Sequence, residues 1–477
     1  MNSYFVKNSK EIKPGNTFIS IKGLKTNGNN YIIDAVERGA SKIIVQIDNP
    51  VNTEIISYLL LKKIPLEYVE DAYLFFAKQI HNQYKNTLSQ MTFIGVTGTK
   101  GKTSTCNALF NFLRATGYSV ALMSSAFHKI NDQIEKAELT TEMVNVIYDF
   151  LKKAADAQIT HVILEVSAQA FTQYRIYGIL FDAFIFTNFS QEHSESYTTQ
   201  EEYFLAKCQL YNYLKPNATV LLNQEDTKVL SSQHYTQNKN INIKTFSSQL
   251  EDNPDIFYRI QSDSINITKA TIYYKKNTYL LNSSWLGIYN VANIACALLI
   301  LDELLFLNQQ KIIFLLKQAE YFENIPGRNE KYFLSNGITV CIEKACTPNS
   351  VESTLKLLRS LTNNLIVVFG CGGERDTKKR PELAAIVEFF AHSVYVSCDN
   401  PRNEPLENIF KDISRGFLFK KEIFFIQDRK KTIERAIENA PKESIVVLLG
   451  KGDEQYQDIK NKLYYFSEKE IIQKYIK

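Results

Sequence analysis

Residues 93–117, FIGVTGTKGKTSTCNALFNFLRATG, join a short apolar run, a turn rich in glycine and a stretch whose apolar positions recur at helical spacing. An apolar run that stops at glycines reads as a buried strand, and the repeat beginning near Lys102 reads as a helix. A strand that turns on glycines straight into a helix points the turn's N–H groups and the positive end of the helix at one spot, which is an anion nest. Such a loop belongs at the carboxyl end of a strand in a doubly wound α/β sheet. The loop is Gly98-Thr99-Lys100-Gly101-Lys102-Thr103-Ser104. Lys102 is placed to reach the β- and γ-phosphates of ATP, and Thr103 or Ser104 to ligate Mg2+. Five residues separate Gly95 from Gly101, where the usual phosphate loop has about four. Val96 stands at the usual glycine position. Kinases, ATPases and ligases share such loops, so the loop alone assigns no reaction.

A chain of 477 residues has room for about three domains of roughly 150 residues each. Residues 1–88 alternate strand-like runs (NTFISIKG, SKIIVQI, IPLEYV) with helical ones (YIIDAVERGA, DAYLFFAKQIHNQYK), which predicts a small α/β domain. The polar stretch 85–90 reads as a linker. Further buried strands are expected at 161–167, 182–188 and 218–223, and a β-rich passage at 245–281 appended to the same domain. Helices are expected over 289–323, with a boundary near Asn324–Gly327. A third alternation follows: TVCIEKA, NLIVVFGCGG, SVYVSCDNP, EIFFIQD, SIVVLLGKG. The fold expected is α/β in three domains, 1–88, 89–325 and 326–477. A central phosphate-loop sheet is flanked by a small N-terminal α/β domain and a C-terminal Rossmann-like one.

Charge narrows the partners. Fifty-five basic and 51 acidic residues leave a net +4, too balanced for nucleic acid or an anionic membrane to be the main partner. The seven cysteines are scattered, without metal-binding spacing, which suits reduced thiols in a cytoplasmic protein. The opening residues lack the apolar core of a signal peptide, and eighteen apolar residues nowhere run together, so no membrane span is expected. Small-molecule substrates and a monomer are the expectation.

Two residues beside the loop carry possible metal chemistry. Glu165 closes the apolar run HVILE, and His193 follows the run DAFIFTN. Taken singly, each is an ordinary loop residue. Both at carboxyl ends of strands beside a phosphate loop, they favour a Mg2+ site. Lys207, in EEYFLAKCQLY, reads by default as a solvated helix lysine.

With GVTGTKGKTS, LEVSAQAFTQYR, FTNFSQEH, AKCQLY, GIYNVANIACA and IPGR in order, the chain resembles the Mur ligase family over nearly its whole length. GCGGERDTKKRP, DNPRNEP and GKGDEQYQ extend the resemblance into the last domain. It implies domains for nucleotide-sugar, ATP and amino-acid binding. It also implies an ATP-dependent amide ligase that adds meso-diaminopimelate to UDP-N-acetylmuramoyl-L-alanyl-D-glutamate through an acyl phosphate, in peptidoglycan precursor synthesis. Lys102 and Arg328 would be the cations on the phosphates, with Asn290 and Asn293 at the adenine end. Lys207 would be carbamylated, joining Thr103, Glu165 and His193 at the metal. Ser9, Thr140, Thr141, Ser167, Gln173 and Arg175 match positions that hold the acceptor. Arg375, Asp399, Asn400, Pro401, Arg402, Gly450 and Glu454 match the amino-acid contacts. There Arg402 can fork onto a distal carboxylate. Read alone, Asp399-Asn400-Pro401 is a good turn starter.

The chain departs from the family pattern in places. Asn8-Ser9-Lys10 stands for Asp-Ser-Arg, Gln169 for a histidine and Glu192 for an aspartate. Glu343-Lys344-Ala345-Cys346 stands for Asp-Tyr-Ala-His, and Asp453 for a histidine. Three readings therefore stand: the peptidoglycan ligase, a paralogous amide ligase with another carboxylate acceptor, and a degenerate nucleotide-binding subunit.

Overall fold

The computed structural model describes residues 4–23, 26–88, 91–190, 197–236, 240–419 and 422–476. In it the glycine loop follows a strand, Thr92–Thr97, and opens a helix, Lys102–Ala115, as the apolar patterns predict. The helix buries Cys106, Leu109, Phe110 and Leu113, a face at helical spacing. The chain divides into two compact units. One comprises Met1–Tyr258, Ile272–Thr278 and Ala292–Leu315; the other comprises Arg259–Thr271, Tyr279–Val291 and Leu316–Lys477.

The first unit contains a four-stranded parallel sheet in chain order, Phe5–Val6, Thr17–Ser20, Lys42–Gln46 and Leu66–Val69. Its large sheet is parallel at the centre. Thr92–Thr97 lies between His161–Glu165 and Phe181–Phe186, with Val120–Met123 beyond the former and Leu214–Asn223 and Asn242–Ser247 beyond the latter. The chain thus builds to one side of the loop strand and then crosses to the other. The loop sits at that reversal, where open α/β sheets bind ligands. A short antiparallel hairpin, His128–Ile130 and Gln133–Glu135, ends one side. On the other side Asn242–Ser247 pairs with Ile256 and Phe257, at the start of the expected β-rich passage, whose strands Ile256–Asp263, Thr268–Tyr274 and Asn277–Ser283 are divided between the two units.

The helix Ala72–Tyr84 is capped by Asp71, whose side chain accepts from the Leu74 N–H. Its buried residues Phe76, Ala77, Ile80 and Tyr84 share one core with Ile19 and Ile44 of the small sheet and with Ile147, Tyr148 and Leu151 of the helix Val144–Asp156. The His81 ring lies against Gly178, where a Cβ would come within 2.1 Å of its Nδ1. That nitrogen is 2.8 Å from the Tyr148 hydroxyl, which itself donates to the Tyr177 carbonyl.

The second unit carries a six-stranded sheet in the order Glu330–Phe333, Thr339–Glu343, Ile445–Leu449, Leu365–Phe369, Ser393–Ser397 and Glu422–Ile426. All but the first pair run parallel. The helix Ile288–Leu305 has 18 residues and a mean hydropathy of 1.6, enough to cross a membrane by length and composition, but 61% of it is buried within the protein. Asp302 and Glu303 interrupt its apolar run, and a mostly buried helix of this kind is a core helix.

Gly95 has a packing role. A Cβ there would meet the buried Phe184 ring at 2.3 Å, on the neighbouring strand of the same sheet. Gly95→Ala should therefore overpack the core and destabilise the first unit by about 1–3 kcal/mol. Calorimetric unfolding checks this; an unshifted transition contradicts it.

Candidate functional site

The loop is fastened to the end of the adjacent strand. The Thr187 hydroxyl donates to the Lys100 carbonyl at 2.6 Å, and the Lys100 and Thr99 N–H groups donate to the Asn188 side chain and carbonyl at 2.8 and 2.9 Å. A Cβ at Gly98 would lie 2.0 Å from the Thr187 Oγ1, so this loop can pass only as glycine. Gly98 and Gly101 both take positive φ, 141° and 81°, which glycine adopts without strain. Lys102 begins the helix, and its ammonium donates to the Gly98 and Thr99 carbonyls at 3.0 and 2.8 Å. The Thr105 hydroxyl donates to the Asn293 Oδ1 at 3.0 Å, which sets Asn293 beside Gly101.

Beneath the loop the Thr103 hydroxyl donates to Glu165 Oε2 at 3.0 Å and lies 2.9 Å from the Ser125 hydroxyl. The Ser125 N–H donates to the same carboxylate oxygen at 2.8 Å. Glu165 is buried at the end of its strand. Lys207 is buried as well; its ammonium donates to the Gly98 carbonyl at 2.8 Å and lies 4.6 Å from the centre of the Tyr203 ring. Two lysine nitrogens therefore crowd one carbonyl oxygen. Ser104 is half-buried in the same first turn. His193 lies outside the described residues, as does Glu192; of the residues expected at a metal, Thr103 and Glu165 touch and Lys207 stands at the adjoining carbonyl.

A cavity of about 150 Å³ opens here, lined by Lys102, Thr140, Ser167, Arg175, Tyr203 and Lys207 among others. Thr141 anchors its wall. Its hydroxyl donates to the Glu165 carbonyl at 2.8 Å and receives the Ser167 N–H at 2.9 Å. Arg175 is buried, donating to the Thr141 carbonyl at 2.6 Å and to Gln173 Oε1 at 2.7 Å. Five of the six expected acceptor residues thus gather at this cavity or its wall. Ser9 does not: it is buried in the N-terminal sheet domain, where its hydroxyl and Arg38 hold the Asp34 carboxyl below its ordinary value.

Sequence reasoning missed Lys7. It follows the first strand and is half-buried. Burial, with the Arg175 guanidinium beside it, lowers its ammonium to about 8 against the pull of Glu11 and Glu142. The nearby SYFVKNSK pattern gave no signal beyond an ordinary surface lysine.

In the second unit the expected amino-acid residues cluster at the carboxyl ends of three neighbouring strands. Arg402 has a left-handed backbone, φ 53°, held by its N–H on the Asp458 carbonyl at 2.9 Å. Its guanidinium donates to the Gly373 carbonyl at 2.6 Å. A Cβ at Gly372 would lie 3.1 Å from that guanidinium and 3.6 Å from the Arg375 side chain, so both arginines border the glycine loop. Asn400 Nδ2 donates to Glu454 Oε2 at 2.9 Å. Asp399 Oδ1 is buried with no hydrogen-bond partner among the described residues. A Cβ placed on Gly450 would lie 3.3 Å from Asp399 Oδ2. The Pro401 carbonyl lies against Gly373, 2.0 Å from where a Cβ would be. Arg328 and Asn290 also belong to this unit; Asn290 Nδ2 donates to the carbonyl of Leu286, two residues before its helix begins.

The departures from the family pattern answer one another. Lys344 and Asp453 form an ion pair at 2.7 Å. Burial pushes the Glu343 carboxyl up, with the Arg328 guanidinium and the Asn329 N–H opposing.

Residues 96–301 match the Mur ligase middle domain, and residues 327–452 the Mur ligase, glutamate ligase domain. A protein of Prochlorococcus marinus subsp. pastoris named UDP-N-acetylmuramoyl-L-alanyl-D-glutamate--2,6-diaminopimelate ligase is 33% identical, across 98% of this chain and 92% of its own. One of the same name from Aquifex aeolicus is 30% identical over the same shares. A solved structure of a ligase of that name superposes with a TM-score of 0.66 at 24% identity, covering 99% of this chain and 94% of the other. MurF ligase from Thermotoga maritima, in complex with ADP, gives 0.65 at 19% identity over 95% and 94%. These likenesses define an ATP-dependent ligase with the three-domain α/β fold. The chain belongs to the Mur ligase family.

Lys7 gives a stability test. Its folded value lies below the ordinary 10.5, so between about 8 and 10.5 the unfolded chain binds the extra proton and stability rises with pH. Below that window the folded protein carries the full cost of a confined charge beside Arg175. Lys7→Met should raise the melting temperature by about 2 °C at pH 7, with a smaller gain at pH 9.5. A gain that grows with pH contradicts the assignment.

Proposed function

We propose that this ligase adds meso-diaminopimelate to UDP-N-acetylmuramoyl-L-alanyl-D-glutamate, with residues 1–88 receiving the nucleotide sugar, 89–325 ATP and 326–477 the amino acid. The reading makes the protein a cytoplasmic enzyme of peptidoglycan precursor synthesis. The observation that carries it is the gathering of Asp399, Asn400, Arg402 and Glu454 at one sheet edge, a planar cation beside several acceptors. An amino acid with a distal carboxylate and ammonium needs that set.

In the proposed reaction the acceptor carboxylate takes the γ-phosphoryl group of ATP, and ADP leaves. The amine of the amino acid attacks the carbonyl carbon, loses a proton, and phosphate departs as the amide forms. Lys102 stabilises charge on the transferring phosphate. The loop's N–H groups, at the start of the helix Lys102–Ala115, suit a triphosphate. Thr103 and Glu165 supply the hard oxygen donors that Mg2+ prefers, and the ion would offset phosphate charge when bound. The cavity beside Glu165 receives the acceptor, whose anionic groups face Arg175 and Lys7.

Lys207 is proposed to act as its carbamate. A buried ammonium sharing one carbonyl oxygen with Lys102 is unfavourable as a cation. Addition of carbon dioxide to the neutral amine, with release of a proton, turns it into a carboxylate ligand. Lys207→Ala should be inactive and regain part of its turnover with added short carboxylates, while Lys207→Arg should not recover. An active Lys207→Arg enzyme overturns the carbamate.

Phosphate release from ATP with diaminopimelate, with and without the UDP-muramoyl dipeptide, tests the substrates directly. Lysine lacks the distal carboxylate and would forgo the charge-assisted pairing with Arg402, a loss of about 2–5 kcal/mol, or roughly thirtyfold to several thousandfold in kcat/KM. The wild type should prefer diaminopimelate by that margin, and Arg402→Ala should erase the preference while sparing KM for ATP. A wild type that prefers lysine, or a ratio that Arg402→Ala leaves unmoved, rejects this pocket. Release with diaminopimelate but without dependence on the dipeptide points instead to another carboxylate acceptor.

A further inference from the structure

Lys451 is a lysine with no exposed side chain, 0% by area. It lies between Gly450 and Gly452, both at positive φ, 106° and 59°. Gly450 closes on Asp399 and Gly452 on Lys344, whose Cβ lies 2.8 Å from where a Cβ on the glycine would be. The turn is thus sealed on both sides, and the lysine is enclosed between them. Its ammonium donates to Asn400 Oδ1 at 3.1 Å and Glu454 Oε2 at 3.4 Å, and lies 3.5 Å from Asp399 Oδ1. The rings of Tyr456 and Phe466 flank it with centres 5.6 and 6.0 Å away. All three polar partners belong to the amino-acid pocket, and the Mur ligase motifs had drawn attention to those partners but not to this residue.

The consequence is clearest at Asn400. Its Oδ1 accepts from Lys451 and from the Asp458 N–H at 2.9 Å, so its Nδ2 must face Glu454 Oε2. Two donors on one oxygen fix which end of the amide is which. With Glu454 Oε2 held by Asn400 and Lys451, Oε1 is the oxygen left for an incoming ammonium.

We propose that Lys451 is a positioning residue that sets the polarity of the amino-acid pocket, acting through Asn400 and Glu454 rather than by touching substrate. The inference deepens the proposed amino-acid site and rests on that reading. Without the ammonium, Asn400 keeps the Asp458 N–H on its Oδ1 but loses the second of the two donors that hold its amide against Glu454. Asp399 and Glu454 then repel each other across the pocket without a cation between them.

The test is kinetic. Lys451→Met keeps the side-chain length and removes the charge. KM for diaminopimelate should rise about tenfold or more, while KM for ATP changes less than twofold. In the Lys451→Met, Asn400→Ala double variant the two losses should not multiply, because one acts through the other. Lys451→Gln, which retains a donor for Asn400, should fall between wild type and Lys451→Met. Equal losses in the ATP and amino-acid constants, an unchanged KM for the amino acid, or multiplying losses in the double variant each overturn the assignment. If both single variants are unfolded by circular dichroism, the lysine is structural and the positioning role is wrong. Should the wild type use another amino acid in place of diaminopimelate, the substrate reading fails by itself, and the same KM ratios measured with that amino acid decide Lys451.

Discussion

One hydroxyl governs the phosphate loop. Thr187, just past the strand Phe181–Phe186, donates to the Lys100 carbonyl and leaves no room for a side chain at Gly98. The loop's path is therefore set by the neighbouring strand as much as by its own glycines. From that path follow the start of the helix at Lys102, the contact of Thr103 with Glu165, and the two lysine nitrogens on the Gly98 carbonyl. The order of strands is what puts Thr187 there, because the chain reverses its direction of building on either side of Thr92–Thr97.

The second unit orients its loops with buried charge. Arg380, 0% exposed, donates to both oxygens of Glu404 and to Asp412, and reaches the Gly372 carbonyl. Arg429 pairs with Glu468 at 2.7 Å and donates to the Leu449 carbonyl at the edge of the glycine turn. Buried pairs of this kind add little net stability because desolvation offsets their attraction, but losing one partner is severe. Their value lies in direction: each guanidinium fixes a backbone carbonyl in a loop that carries pocket residues. The Lys344–Asp453 pair is more exposed and serves differently, joining two loop positions directly. Two positions that depart from the usual family residues are charged with opposite sign and meet.

Much of this was legible in the chain itself. The loop strand and its helix were plain because apolar spacing and glycine punctuation agree, and the parallel strands Leu365–Phe369, Ser393–Ser397 and Ile445–Leu449 are nearly unbroken apolar runs. Glu165 could be placed because it ends such a run. The hairpin His128–Glu135 gave no signal: its strands have three residues each and one is fully exposed. Buried charges were the other blind spot. Lys207 read by default as a solvated lysine, and Arg380, Arg429 and Lys451 were not singled out, since only tertiary partners justify placing such residues inside. Lys207 was raised to a candidate by resemblance to relatives, and Lys7 by nothing before the structure.

The helix Ala72–Tyr84 has a consequence for how such chains are assembled. In sequence it belongs to the first 88 residues, yet its buried side chains lie in one core with both the small sheet and the helix Val144–Asp156. His81 fills the space that Gly178 leaves empty. The N-terminal sheet is therefore not an interchangeable cartridge. A lineage that acquired a new N-terminal sheet by recombination would inherit a seam without its matching teeth unless the crossover kept this helix with the sheet that follows it. Change in this part of the chain is easier by point substitution than by exchange of the whole module.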